Sequence, residues 1–171
     1  TVGLAHKMIK LPDGTMRILV QGLQRVHVDR YVREEPYLVA DITKVEDVTV
    51  ESKEIDALRA SLLSTFSKIV ALVPYLPEEL EMAAANVEDP GPLAFLVAST
   101  MRIKTEDKQA LLEESDVEQR LRKLIGILAQ ELEVLELGSK IQSDVRSEID
   151  KSQREYFLRQ QMKAIQQELG E

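Results

Sequence analysis

YLVADITKVEDVTVESKEIDALRASLLSTFSKIVALVP, residues 37–74, holds the change of hydrophobic period that decides the fold. Tyr37–Val45 reads as an extended strand. From Ser52 onward the apolar residues Ile55, Leu58, Leu62, Phe66, Ile69 and Val73 recur three or four apart, the stripe of an amphipathic helix. Pro74 ends that helix, because proline has no N–H for the helical ladder. A sheet therefore precedes this stretch and helices follow it.

Upstream the period is two. Leu4 to Leu11 alternate as a strand, Pro12-Asp13-Gly14-Thr15 supplies the chemistry of a tight hairpin, and Met16, Ile18 and Val20 return on one face. Val26, Val28 and Val32 mark a third strand, with Arg25, His27, Asp29, Tyr31 and Arg33 on its other face, and Glu34-Glu35-Pro36 breaks it. Together with Tyr37–Val45 these give an expected antiparallel meander of four strands.

Downstream, Pro77 opens a short helix over Glu78–Ala85 and Asp89-Pro90-Gly91-Pro92 punctuates the chain. The nearly uncharged run Leu93–Met101 reads as a central buried helix, and Thr105 is placed to cap a helix over Glu106–Glu113. Ser115 with Glu118 forms an expected capping box ahead of the stripe Val117, Leu121, Leu124, Leu128, Leu132 and Leu135. Gly138 suits a helix end, and Ser139 with Gln142 offers another capping box; a helix is expected over Lys140–Leu169, either separate from the preceding one or continuous with it. That last helix is highly charged. Leu158, Met162, Ile165 and Leu169 fit a 4-3-4 heptad seam, with Tyr156 and Phe157 flanking its start. We expect it to leave the globule and meet a partner.

Composition narrows the function. The chain has 171 residues, 44% of them hydrophobic and only 4% aromatic, so an aliphatic core is expected and stacking platforms for single-stranded nucleic acid are not. Lys and Arg balance Asp and Glu over residues 1–50, seven of each, so the net charge of -8 falls on residues 51–171. That balance disfavours duplex binding, which needs cations near phosphates. With no cysteine there is no disulfide, thiolate zinc site or cysteine nucleophile. No apolar run reaches the ~20 residues of a membrane span, and a cytoplasmic location is expected.

The chemical inventory is empty. His6 and His27 sit in strand patterns, there is no phosphate-binding glycine loop, and Glu34-Glu35, Glu78-Glu79 and Glu113-Glu114 flank prolines or helix ends. Arg25, Arg30 and Arg33 make a modest basic cluster that Asp29, Glu34 and Glu35 offset. No catalytic, cofactor-binding or metal residue is assigned. From chemistry alone the chain reads as a binding or positioning module.

One stretch is more specific. Lys151 to Glu171, KSQREYFLRQQMKAIQQELGE, closely resembles the signature that joins the N-terminal region of Lon proteases to their ATPase module. KLPDGT (10–15), VQGLQR (20–25) and YVREEPY (31–37) are similar to strands of the same family's N-terminal β domain. The resemblance implies an α+β architecture: a small antiparallel, PUA-like β lobe over 1–50, shortened at its N-terminus, a helical lobe over 51–138, and a long helix over 139–171. It implies recognition of misfolded, damaged or degron-bearing proteins, and support of a hexamer, in ATP-dependent proteolysis during stress response and quality control. ATP, Mg and the Ser-Lys dyad are expected beyond Glu171, and the family's opening strands ahead of Thr1. Tyr156, Phe157, Leu158, Met162, Ile165 and Leu169 are the candidate substrate or partner contacts, either packing against neighbouring subunits or also touching clients. A stand-alone protein-binding module with the same β lobe, or a nucleic-acid-binding segment, are the alternatives.

Overall fold

The computed structural model describes residues 1–49 and 51–170. Four strands come first: β1 (Val2–Lys10), β2 (Met16–Gln24), β3 (Val26–Arg33) and β4 (Val39–Lys44). Five helices follow: α1 (Lys53–Leu72), α2 (Glu79–Ala85), α3 (Pro90–Thr100), α4 (Thr105–Glu113) and α5 (Val117–Leu169). The α+β order expected from the change of period is therefore present, with two small antiparallel sheets and a long C-terminal helix.

The sheet differs from a four-stranded meander. β1 pairs with β2, and β3 with β4, as two separate two-stranded ribbons. Only Arg25 separates β2 from β3, too little chain for the hairpin that an antiparallel β2–β3 pair requires. The first hairpin closes as its residues dictate. Gly14 adopts a φ of 85°, and the Thr15 N–H and hydroxyl both donate to Asp13 Oδ1, at 2.9 and 2.7 Å. Leu11 and Thr15 complete the turn with a 2.8 Å backbone bond. No described residue of 1–49 is buried. Met16, Ile18 and Val20 remain half-exposed or more on their ribbon.

By its internal contacts the chain forms two compact units, Thr1–Arg59 with Val87–Leu124, and Ala60–Asn86 with Ile125–Glu171. In the first, Leu93, Ala94, Val97 and Ala98 of α3, Leu111 of α4, and Val117, Leu121 and Leu124 of α5 are buried. Asp89 caps α3 by accepting from Gly91 N–H at 2.9 Å, with Pro90 at the first helical position. The helix thus starts three residues before the apolar run. Pro90 fits there because the first-turn N–H it lacks has no helical partner in any case. In the second unit, Leu62, Phe66, Ile69 and Val70 of α1, Val73 just after it, Ala84 of α2 and Leu128 of α5 are buried. Ser67 of α1 donates to Glu81 of α2 at 2.8 Å.

Two helix-cap expectations change, and the open alternative at Gly138 resolves. At α4, Lys104 rather than Thr105 occupies the N-cap, and no side chain caps the helix. At α5 the capping oxygen is Asp116 Oδ1, which accepts from Gln119 N–H at 3.1 Å, rather than the hydroxyl of Ser115. Ser115 is held elsewhere, because its carbonyl accepts from Val48 N–H at 2.8 Å in a parallel bridge. Finally, there is no helix end at Gly138. α5 runs unbroken for 53 residues, on the order of 80 Å at 1.5 Å per residue. A glycine inside a helix costs about 1 kcal/mol, less than the several backbone bonds a break would leave unpaired.

Candidate functional site

The most concentrated polar structure in the first unit is one that local patterning does not show. Arg120, on the first turn of α5, has no exposed surface at all. Position 120 lies on the same helical face as Val117, Leu121 and Leu124, and a charged residue there must be fully paired. Its guanidinium donates to both oxygens of Asp47, 3.0 Å from Nη1 to Oδ2, and to the Glu114 carbonyl, 3.1 Å from Nε. Arg25, the single residue between β2 and β3, also pairs with Asp47 and donates to the carbonyls of Leu112 and Glu114 at 2.8 and 3.1 Å. Both guanidiniums lie over the Phe95 ring, 4.3 Å (Arg120) and 5.5 Å (Arg25) from its centroid.

One carboxylate therefore serves two arginines. The Arg120 hydrogen bonds, then the charges of Arg120 and Arg25, hold Asp47 below the usual carboxylate range against the opposing effect of burial. Burial pulls the Arg25 guanidinium below its ordinary value, with Asp47 opposing and Arg120 adding. Gly91 is required at this place, since a Cβ there would stand 2.7 Å from Asp47 Oδ2. The cluster ties the strands' end to α3, α4 and the start of α5. It is structural machinery, and its one net positive charge lies beside an open groove.

The basic cluster expected from the sequence is dispersed. Arg25 turns inward to Asp47, Arg30 pairs with Asp41 at 2.8 Å, and Arg33 lies over the Tyr37 ring at 5.0 Å. The neutralising carboxylates are thus Asp41, across the β3–β4 ribbon, and Asp47, beyond β4, rather than sequence neighbours. His6 contacts Gln21 Oε1 at 2.6 Å, and His27 contacts Asp29 Oδ1 at 3.0 Å. Both sit on exposed ribbon surface. Among the described residues, no group of three or more His, Asp or Glu is placed to hold a metal ion. No described helix is long and apolar enough to cross a membrane.

The candidate contact residues all fall on α5. Tyr156, Phe157, Leu158, Met162 and Ile165 are each more than half exposed. Leu169 is the last residue of the helix, and its side chain lies outside the described residues. Every described side chain from Glu136 onward is exposed. At about 100° per residue, Leu158, Met162 and Ile165 share one stripe, whereas Tyr156 continues a different one through Ile141, Val145 and Ile149. The two stripes lie roughly 130° apart round the helix, with Phe157 on the wider arc, about 110° from each. The five described candidates do not form one patch.

Comparison with known proteins identifies this architecture. The family model "ATP-dependent protease La (LON) substrate-binding domain" matches residues 1–130, and the chain belongs to this family. It is 46% identical over its full length to a Lon protease of Dictyoglomus thermophilum, of which it covers 22%. It is 42% identical over its full length to the Lon protease of Brevibacillus choshinensis, again covering 22% of that protein. The chain thus spans about a fifth of the length of the curated relatives it matches. Among solved structures, the N-terminal domain of Mycobacterium avium complex Lon protease shares the fold. Its TM-score is 0.63 at 22% identity, over 74% of this chain and 67% of that one.

Proposed function

We propose that this chain is a non-catalytic substrate-recognition segment of an ATP-dependent Lon-type serine protease, one that binds misfolded, damaged or degron-bearing proteins and supports hexamer assembly. The observation that carries the reading is the match of residues 1–130 to the Lon substrate-binding domain. The exposed apolar residues of α5 agree with it. A recogniser of unfolded proteins needs apolar surface that adapts to many sequences, and Met162 supplies a flexible, polarizable side chain within the stripe it shares with Leu158 and Ile165. In this reading ATP and Mg bind, and peptide bonds are cut, in other parts of the parent enzyme, which works in cytoplasmic quality control.

The test places Met162→Glu in the parent enzyme and measures hexamer formation, short-peptide cleavage and unfolded-protein degradation side by side. Degradation lost with hexamer and peptide cleavage intact supports client contact by the stripe. Loss of the hexamer assigns it to assembly. Unchanged behaviour in all three overturns any role for it. The isolated chain is expected to hydrolyse no ATP and cleave no peptide. Either activity, with contaminating parent enzyme excluded, would overturn the non-catalytic assignment.

A further inference from the structure

Beside the arginine cluster lies an open groove of about 620 Å³, walled by Leu23 of β2, Pro92, Phe95 and Ala98 of α3, and Leu111 and Leu112 of α4. Its volume falls in the range of pockets that take small ligands, ample for a side chain of a bound segment. Among the described residues its wall carries two charged side chains, Arg25 and Lys108, and both are cationic. Arg25 shares its one carboxylate with Arg120, so that cluster keeps a net positive charge. Lys108, half-buried on α4, makes no ion pair among the described residues. A chain with a net charge of -8 thus presents an apolar groove edged by uncompensated positive charge.

We propose that this groove binds an extended, unfolded polypeptide segment through one apolar side chain, with an adjacent Asp or Glu side chain paired to Lys108. This deepens the substrate-binding reading above, on which it rests, by naming a substrate class: acidic-flanked apolar segments over basic-flanked ones. The apolar wall removes the client's side chain from water, the general driving force for capturing unfolded protein. The partly desolvated ammonium then discriminates by charge, since a basic residue at that place meets Lys108 and Arg25 without compensation. The source of the carboxylate is a side chain rather than a chain terminus. Terminal carboxylates are captured by nests of backbone N–H groups, whereas the charged donor free to meet a ligand here is the ammonium of a side chain.

The test uses the chain with its Thr1 amine acetylated, because Thr1 also lines the groove, and dye-labelled unstructured peptides of one design: a Leu flanked by Glu, by Gln or by Lys, blocked at both ends. Anisotropy at low salt is expected to show the Glu peptide binding about fivefold tighter than the Gln peptide, the size of one half-exposed ion pair. Lys108→Glu should reverse the order of the Glu and Lys peptides. Ser99→Trp, an exposed groove position, should weaken all three by filling the site. Circular dichroism verifies that both variants stay folded. An additional Gln-flanked peptide left unblocked at its C-terminus is measured beside them, and a gain equal to that of the Glu peptide would overturn the side-chain commitment. Binding of unfolded casein is measured in parallel. Casein bound with no charge preference, or with no response to Lys108→Glu and Ser99→Trp, overturns the groove assignment and leaves the substrate-binding reading standing. Failure of the wild-type chain to bind casein at all overturns both.

Discussion

Replacing Asp47 by Asn should destabilise the first unit by about 3 kcal/mol, the lower end of the cost of breaking a buried ion pair. The perturbation keeps the side-chain volume and one acceptor oxygen. It removes the carboxylate paired with Arg120, whose side chain has no exposed surface, and leaves that charge with the Glu114 carbonyl and the Phe95 ring. The lower end applies because the substituted amide would still accept one bond, and because Asp47 itself is 28% exposed and partly screened. With a urea dependence of about 2 kcal/mol per molar, the midpoint followed by circular dichroism should fall by roughly 1.5 M. Amides of Val48 and Val117, which bond across the parallel bridge beside the cluster, should exchange faster with solvent. A shift below about 0.3 M, with unchanged exchange at those amides, would refute the assignment of the cluster as the element that fixes strands to helices. Replacing all three together, Asp47→Leu with Arg120→Met and Arg25→Met, should cost less than Asp47→Asn alone, since neither guanidinium is then left without its carboxylate.

Three further outcomes follow from the same structure. Because Asp47 has a lowered pKa in the folded chain, its ionised form contributes stability fully above the ordinary carboxylate value near 4, and that contribution is lost as pH falls through the lowered value. The stability difference between wild type and Asp47→Asn should therefore stay flat from about pH 8 to about pH 5 and shrink on further acidification, as measured by urea titrations across pH. Gly91→Ala should destabilise by about 2 kcal/mol in thermal unfolding, because the new methyl meets an Asp47 oxygen already held by Arg120. Gly138→Ala should stabilise by about 0.8 kcal/mol, since its Cβ meets nothing within 4 Å and the residue lies inside a helix; a lowered melting temperature would contradict continuity of α5 at that point.

Much of the fold is legible in the sequence because the signals are local. The strand alternation of β1 to β4, the Asp13-Gly14 hairpin and the stripe of α1 each depend on residues within a few positions of one another. The failures share a cause. Gly138 with Ser139 and Gln142 carries the residue types of a stop and a restart, yet the backbone ladder on both sides outweighs one glycine. Ser115 has the right spacing for a cap but is committed to Val48, 67 positions away. Arg25 reads as part of a surface basic cluster because its true partners lie at Asp47 and at Leu112 to Glu114, up to 89 positions along the chain. A trace of the arginine cluster is present, in that Arg120 occupies a position on the buried face of an otherwise aliphatic stripe. The groove is less legible still, since its walls come from β2, α3 and α4 and no single segment shows the concavity.

The uninterrupted course of α5 through Gly138 has a consequence in angular phase. A hydrogen-bonded helix holds its side chains at fixed azimuths, like cams on one shaft, so Ile141, Val145, Ile149 and Tyr156 keep a constant offset from Leu158, Met162 and Ile165. A straight partner laid along the helix can mesh with one set while the other faces away, so the two sets serve contacts in different directions. One residue inserted after Tyr156 would advance the second set by about 100° and bring the two nearly into line. Seven residues, close to two full turns, would leave the offset almost as it was.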